Sequence, residues 1–269
     1  MVIVKAVAVT GGIGAVCGVL LAIAAKLFHI DVDQRITDVR NSLPGANCGA
    51  CGYAGCDAMA EAIAAGQAPV NGCPVANAQA HEKIAEIMGT TAEEGEKKVA
   101  HVLCLGCDSL ASKKHEYHGV KDCKAAAAVQ GGDKSCDKGC LGYGNCVEVC
   151  DFDAIEIVNG IAVIDKEKCT ACGKCIEECP KAVIEFVPYK NNVIVGCNNR
   201  DFGKAVKDVC KIGCIACKIC EKNCPFDAIH VTNNLAKVDY EKCTHCMICV
   251  EKCPTKVIEG DLTIKDQAV

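Results

Sequence analysis

Cysteines set two or three positions apart are the residues of this chain that are best suited to chemistry. They form runs of the pattern C-x2-C-x2-C-x3-C-P, namely Cys169, Cys172, Cys175 and Cys179; Cys214, Cys217, Cys220 and Cys224; and Cys243, Cys246, Cys249 and Cys253. In a bacterial run of this spacing, three thiolates hold one 4Fe–4S cluster and the fourth reaches over to a second cluster. Three such runs therefore predict several clusters in one chain.

An earlier, irregular run belongs to the same repeat. Its cysteines are Cys140, Cys146 and Cys150, and one constant offset relates them to Cys169, Cys175 and Cys179. A second constant offset relates them to Cys214, Cys220 and Cys224. The chain thus holds two copies of a two-cluster module, each of which is itself a doubled unit. Tyr143 takes the place of the second cysteine in the irregular run, and Cys136 is the predicted substitute.

The crossing of the fourth cysteine predicts the ligands of four clusters. In the first module the predicted sets are Cys136, Cys140, Cys146 and Cys179, and Cys150, Cys169, Cys172 and Cys175. In the second module they are Cys214, Cys217, Cys220 and Cys253, and Cys224, Cys243, Cys246 and Cys249.

A fifth site is predicted nearer the N-terminus. Its cysteines follow the spacing C-x2-C-x4-C-x16-C and are Cys48, Cys51, Cys56 and Cys73. Glycines between the first three let the backbone wrap closely around a cluster and direct N–H groups at its sulfurs. A zinc ion held by four thiolates is the alternative, but the tight glycine-rich triplet favours a 4Fe–4S cluster.

Some of the remaining cysteines suggest a sixth cluster. Cys104, Cys107 and Cys123 need a fourth partner, and either Cys210 or Cys197 could supply it. This cluster is a hypothesis that iron analysis would test, because six four-iron clusters require about twenty-four irons per chain and five require about twenty.

Short elements must hold these cysteines in place. After each run an apolar phrase such as Asp153-Ala-Ile-Glu-Ile predicts a short helix that turns into a strand, and residues 161–164 and 236–238 are the predicted partner strands. Helices are predicted at 57–65 and 75–88, each ended by a glycine.

The predicted fold class is α+β, and the chain divides into six parts. These are a transmembrane anchor at 1–30, a small helical four-cysteine 4Fe–4S domain at 31–90, a linker and intermediate cysteine region at 91–135, a first ferredoxin module at 136–190, a connecting segment at 191–213 and a second ferredoxin module at 214–269.

The anchor is predicted from the uncharged residues 6–25, which match the length of a membrane-spanning helix. A cleaved signal peptide would have a shorter apolar run, and a buried core helix would need a larger core than this chain can build. We therefore expect a single-pass protein of the cell membrane, with reduced cysteine-rich domains on the cytoplasmic side.

Composition narrows the classes of function. The chain has 26 cysteines among 269 residues, and their close spacing indicates metal sites in a reducing compartment rather than disulfides. No basic stripe indicates nucleic-acid binding. No G-x-G-x-x-G fingerprint follows a strand, so no NAD or flavin site is expected on this chain.

The order of these parts resembles one known family. The apolar N-terminal segment, the phrase N-C-G-A-C-G-Y-A-G-C from Asn47, the phrase G-G-D-K-S-C-D-K-G-C-L-G-Y-G-N-C from Gly131 and the two ferredoxin modules are similar to the B subunits of Rnf complexes. The resemblance covers essentially the whole chain. It implies a component of a membrane-bound, ion-pumping ferredoxin:NAD oxidoreductase, which accepts electrons from reduced ferredoxin and relays them to membrane subunits with an iron–sulfur centre and flavins. Asp151 departs from the pattern, because a proline normally follows the fourth cysteine.

Charge suggests where electrons enter. Residues 145–190 carry a net charge of −4 and residues 205–265 a net charge of +1, so an acidic donor ferredoxin would be steered to the second module. Solvated surface charge without a docking role is the alternative.

The cysteine pattern also allows two other classes of function. One is the polyferredoxin arm of a different membrane oxidoreductase, such as a hydrogenase or a formate-oxidising system, and the other is a structural zinc protein.

Overall fold

A computed structural model describes residues 2–27, 33–91 and 96–260 of the chain. Its helices are α1 (Val2–Leu27), α2 (Gln34–Ser42), α3 (Cys56–Ala64), α4 (Ala78–Met88), α5 (Cys123–Ala128), α6 (Asn145–Glu148), α7 (Lys174–Glu178), α8 (Lys204–Val209), α9 (Ile219–Asn223) and α10 (Ile248–Lys252). Its strands are β1 (Lys98–Val102), β2 (Ile155–Val158), β3 (Ile161–Ile164), β4 (Ile184–Pro188), β5 (Val193–Val195), β6 (Ile229–Thr232), β7 (Leu235–Val238) and β8 (Ile258–Gly260).

The N-terminal helix α1 contains 26 residues, and its side chains are described at residues 10–24 and 26. Ile13, Val16 and Leu20 on this helix are exposed. Within the described residues, no helix is both long enough and apolar enough to cross a bilayer. The predicted transmembrane helix is therefore not supported, and residues 1 and 28–30 of the segment predicted as an anchor lie outside the described residues.

Helices α2, α3 and α4 form the small helical domain. Val39, Met59 and Ile84, one from each helix, are at most 1% exposed and make its core. The helix predicted at 75–88 begins later, at Ala78, because the Asn77 side chain caps it by accepting a hydrogen bond from the Ala80 N–H at 2.8 Å. It ends as predicted at Gly89, which takes the left-handed conformation typical of a helix C-terminus.

Each ferredoxin module contains two antiparallel strand pairs. The partner strands that the sequence predicts are confirmed, since β3 pairs with β2 and β7 pairs with β6. The second pair in each module joins distant segments: β1 pairs with β4, and β5 pairs with β8. We name residues 98–188 module one and residues 193–260 module two. Strands β1 and β5 lie in segments that are predicted as a linker and a connecting segment.

The module cores are small and contain many sulfur atoms. In module one, Ile155, Ile161 and Ile184 pack with buried cysteines such as Cys140 and Cys146. Module two has an equivalent core of aliphatic residues and buried cysteines. A domain with so little apolar material usually needs a metal to stabilise it.

Candidate iron–sulfur sites

The backbone adopts one repeated conformation around the cysteine runs. The residue just before the second cysteine position of each run has a φ between 56° and 76°, and these residues are Gly142, Ala171, Ala216 and His245. Three of the four are not glycine, so the left-handed backbone carries a steric cost. Such residues turn successive N–H groups toward one concave surface, which suits an anionic group such as an iron–sulfur cluster.

One partly open cavity in module one is lined by four cysteines and, with its adjoining solvent, has a volume of about 390 Å³. The four cysteines are Cys123, Cys140, Cys146 and Cys179. Burial raises the pKa of Cys146 to about 12, and the thiolates of the other three contribute to this rise. The structure therefore brings these four thiols into one site.

Cys123 reaches this cavity because of a local hydrogen-bond network. It is the first residue of α5, a helix that is capped by the Asp122 side chain. The Cys123 N–H donates to Asn145 Oδ1 at 2.5 Å, and the Asn145 amide donates to Asp122 Oδ2 at 2.5 Å. Asn145 is next to Cys146 in the chain, so the network fixes the two cysteines relative to each other.

The structure differs here from the predicted ligand set. Cys136, the predicted substitute for the second cysteine, does not line this cavity. Tyr143, which occupies the second cysteine position, faces Tyr117 with ring centroids 5.6 Å apart. Burial and Asp133 raise the pKa of Tyr143 to about 12. Cys123 takes the place that is predicted for Cys136, because an insertion between β1 and α6 carries it there.

The three other cysteine sets predicted in the modules are also brought together. Within each set the thiols line one cavity or lie close enough for their charges to raise one another's pKa. These sets are Cys150, Cys169, Cys172 and Cys175; Cys214, Cys217, Cys220 and Cys253; and Cys224, Cys243, Cys246 and Cys249.

The helical domain holds its cysteines through short polar contacts. The Cys56 N–H donates to Asn47 Oδ1 at 2.9 Å, which joins the loop before Cys48 to the start of α3. Burial raises the pKa of Cys73, and the thiolates of Cys51 and Cys56 contribute to this rise. The structure therefore brings Cys51, Cys56 and Cys73 together. Cys48, the first cysteine of the predicted set, stands three positions before Cys51 in the same loop.

A further, partly open cavity, which we call the middle cavity, lies between the two modules and, with its adjoining solvent, has a volume of about 390 Å³. Its lining includes Cys104, Cys136, Cys197 and Cys210. Of the predicted sixth set, Cys104 and Cys210 line this cavity, whereas Cys123 lines the other cavity, with Cys140, Cys146 and Cys179. Cys107 does not line it, and its Sγ is 3.2 Å from Ser109 Oγ.

Burial favours the protonated form of several thiols in these sites in the absence of metal. It raises the pKa of Cys175, Cys197 and Cys220 to about 12 each. Metal binding must displace these protons, so it becomes more favourable as the pH rises. No three histidine, cysteine or carboxylate side chains in the described ranges converge on a single point as around one metal ion; the cysteines surround cavities instead.

Three family models match parts of the chain. One described as "4Fe-4S dicluster domain" matches residues 213–258, one described as "4Fe-4S binding domain" matches residues 162–185, and one described as "Putative Fe-S cluster" matches residues 43–75. The cysteines in these ranges belong to the sites of the helical domain and of the two modules. The matches agree with multiple 4Fe–4S clusters as cofactors.

Similar proteins cover nearly the whole chain. Over 257 residues it is 49% identical to the B subunit of the Na(+)-translocating ferredoxin:NAD(+) oxidoreductase complex of Acetobacterium woodii, with 95% of this chain and 77% of that protein covered. It is 46% identical to the B subunit of the ion-translocating oxidoreductase complex of Methanosarcina acetivorans, with 96% of this chain and 98% of that protein covered. It is 42% identical to the B subunit of the proton-translocating ferredoxin:NAD(+) oxidoreductase complex of Clostridium ljungdahlii, with 92% and 89% covered. The chain therefore belongs to the family of B subunits of Rnf-type ion-translocating oxidoreductase complexes.

Proposed function

We propose that this chain is the electron-transfer component of a membrane-bound, ion-translocating ferredoxin:NAD oxidoreductase. The observation that carries the proposal is the continuity of its cysteine sites from the helical domain through both modules. When bound, each 4Fe–4S group takes up and releases one electron with little movement of its ligands. The residues of the chain set the order of the sites, their burial and their access to solvent.

Neighbouring sites are in close contact where the domains meet. Burial raises the pKa of Cys172, and the nearby thiolate of Cys48 contributes to this rise, so the helical domain site lies beside the second site of module one. Within module one, Cys146 is close to Cys175 as well as to its own set. These contacts support a path for electrons between module one and the helical domain.

Electron entry is proposed at module two. Cys217 and Cys246 are exposed, whereas every cysteine of the module one sites is buried or half-buried. The side chains of Lys218, Lys222 and Lys252 are exposed and lie within the runs that form the module two sites. A soluble, acidic ferredoxin could therefore approach module two closely and be attracted by its lysines.

Electron exit is proposed at the helical domain, toward membrane subunits of the same complex. The relatives are named as subunits of ion-translocating complexes, and we propose that this chain attaches to the membrane through such partner subunits. Its cysteine-rich domains would face the cytoplasm, where thiols stay reduced. NAD and flavin chemistry is assigned to other subunits, because the sequence has no dinucleotide fingerprint.

Anaerobic reduction by ferredoxin tests the proposal directly. The full chain, purified without oxygen, should be brown. Its broad visible absorption should decrease when catalytic amounts of ferredoxin and a ferredoxin-reducing enzyme are added together with an excess of the electron-donating substrate of that enzyme. The same enzyme and substrate without ferredoxin are the control, and they should leave the absorption unchanged. A colourless, zinc-containing protein would contradict the iron–sulfur assignment, and a brown protein that ferredoxin cannot reduce would contradict the role as electron acceptor.

A further inference from the structure

The middle cavity takes two cysteines from each module. Cys104 and Cys136 come from module one, while Cys197 and Cys210 come from module two. It is as large as the four-cysteine cavity of module one, about 390 Å³. None of its four cysteines lies in the ranges that the family models match.

The four cysteines form two equivalent pairs. Cys136 and Cys210 are related by the same offset as Cys140 and Cys214, and each stands four positions before the first cysteine of a run. Cys104 and Cys197 each follow the strand that opens a module, and each donates its N–H to the carbonyl oxygen two positions earlier at 2.9 Å. The cavity is therefore built by the same elements of both modules.

The sulfur atoms of the second pair occupy equivalent positions. Cys104 Sγ accepts a hydrogen bond from the Cys140 N–H at 3.3 Å, and Cys197 Sγ accepts one from the Cys214 N–H at 3.4 Å. Cys140 and Cys214 are the first cysteines of the two module runs. Each side of the middle cavity thus contacts a cysteine of a neighbouring four-cysteine site.

The surroundings of the cavity favour a negatively charged occupant. Lys134 lines it and is only 1% exposed, and its ammonium group donates to the carbonyl oxygens of Gly106 at 2.9 Å and Gly160 at 2.8 Å. Within the described residues, no carboxylate pairs with this ammonium group. A buried cation without an anionic partner is costly, so a cluster bound by four thiolates would compensate its charge.

Further groups fit the sulfur atoms of a cluster site. The Asn199 N–H donates to Cys197 Sγ at 3.4 Å, and its side-chain amide lies 3.6 Å from Cys136 Sγ. A Cβ at Gly106 would lie 3.3 Å from Cys210 Sγ and 3.6 Å from Cys104 Sγ. Hydrogen bonds to sulfur and close approach of glycine are features of iron–sulfur sites.

We propose that Cys104, Cys136, Cys197 and Cys210 bind one 4Fe–4S cluster that joins the two modules. Its role in electron transfer rests on the proposed function, whereas the binding itself does not. One electron that enters from the Cys214 side is balanced by one that leaves toward the Cys140 side, and no bond is made or broken. Lys134 is a positioning residue whose charge stabilises the reduced state of the site.

Cysteine-to-alanine variants of the full chain test the ligand set, because serine oxygen could still bind iron. Cys136→Ala and Cys210→Ala should each lower the iron content by about four per chain and remove the same component of the EPR spectrum of the reduced protein. Cys123→Ala should remove a different component. Cys107→Ala is the matched control, because this thiol is buried in the same core as Cys104 but does not line the cavity. The iron content of this variant should equal that of the wild type.

Other outcomes would overturn the proposal. Loss of the same EPR component in the Cys123→Ala and Cys136→Ala variants would place Cys136 in the module one site. Loss of four irons in Cys107→Ala, with none lost in Cys136→Ala, would show that Cys107 is a cluster ligand and that Cys136 is not. A different outcome separates the two proposals. A protein that contains six clusters but that ferredoxin cannot reduce would support the four-cysteine ligand set and contradict the proposed electron-transfer function.

Lys134→Met provides a second measurement for the case that a cysteine variant fails to fold. It should keep the wild-type iron content and lower the reduction potential of the EPR component that Cys210→Ala removes, because it takes away a positive charge beside that site. Lys138→Met is the control, since this lysine also lines the cavity but is exposed. Unchanged potentials in Lys134→Met, or a shift confined to another component, would contradict the proposal.

Discussion

Modules one and two have the same repeat and strand pairing but differ in how they expose their sites. Module one contains a long insertion after β1 that supplies Cys123, and none of its site cysteines is exposed. Module two lacks this insertion, keeps every run cysteine and exposes Cys217 and Cys246. The same fold can therefore serve as an internal electron relay or as a contact point for a soluble partner, depending on how much of its cysteine runs is covered.

Module one uses Cys123 where module two uses the second cysteine of its run, and removing this ligand should change the protein most. Cys123→Ala should lower the iron content by about four per chain, because Cys123 replaces the cysteine that position 143 lacks. Adding Tyr143→Cys to this variant should restore the iron, because Gly142, just before position 143, has the same left-handed backbone as Ala216, just before Cys217 in module two. Iron analysis and EPR measure both steps. Tyr143→Cys alone is the control, and a double variant that stays deficient would show that the insertion also shapes the site.

Charge reversal tests the entry of electrons. Replacing Lys218, Lys222 and Lys252 by glutamate should slow reduction by ferredoxin about tenfold at low salt, and the difference should shrink at high salt as charges are screened. Stopped-flow absorption would measure the rate. The matched control reverses Lys121, Lys168 and Lys190, which are exposed on or beside module one. Equal slowing by both triple variants would remove the assignment of entry to module two.

A half-buried carboxyl, that of Glu259, distinguishes the two modules in stability. Burial raises the pKa of Glu259 from 4.5 to about 7, whereas the equivalent Glu185 of module one is exposed. The folded state therefore holds a proton that the unfolded state releases, so stability is full below pH 4.5 and is lost as the pH rises through about 7.

Glu259→Gln should raise the free energy of unfolding at pH 8 by about 1–3 kcal/mol and remove this pH dependence. Thermal unfolding between pH 4 and pH 8 measures it, because this range includes both the ordinary pKa of 4.5 and the raised pKa of about 7. Glu185→Gln should have little effect at either pH. A pH profile that is unchanged in Glu259→Gln would mean that this carboxyl is ionised in the folded protein.

The smallest effect concerns the backbone two positions before the third cysteine of each run. Gly144 in module one and Lys218 in module two have φ values of 93° and 60°. Lys218→Gly should therefore stabilise the protein by about 0.5–1 kcal/mol, and Gly144→Ala should destabilise it by about 1–2 kcal/mol. A Cβ at Gly144 would meet its nearest atom at 3.8 Å, so the cost comes from conformation and not from a clash. Thermal unfolding of both variants would compare them.

Local features of the fold could be predicted well from the sequence. The partner strands at 161–164 and 236–238 are present, and the helix predicted at 75–88 ends at Gly89 as expected. These features depend on neighbouring residues: apolar strand residues on either side of a short turn, a capping asparagine and a terminal glycine. Strands β1 and β5 carry no such local signal, because each pairs with a strand at the far end of its module.

Part of the middle site had a signal in the sequence. The offset that carries Cys140 to Cys214 also carries Cys136 to Cys210, so the pair could have been recognised as one repeat element. Lys134 and Asn199 carried no such signal, because a lysine and an asparagine are ordinary surface residues until tertiary contacts bury them. The predicted transmembrane helix illustrates the opposite case, where a sequence criterion of length and polarity finds no support in the described residues.

The amino-acid sequence was sufficient to recognise the repeated cysteine runs and to predict 4Fe–4S clusters for them, because thiolates spaced two or three residues apart match the ligand pattern of a ferredoxin cluster. Tertiary structure decided which distant cysteines join them. Cys123 enters module one and Cys136 faces Cys104, Cys197 and Cys210, because strand pairing between remote segments, and not spacing along the chain, brings those side chains together.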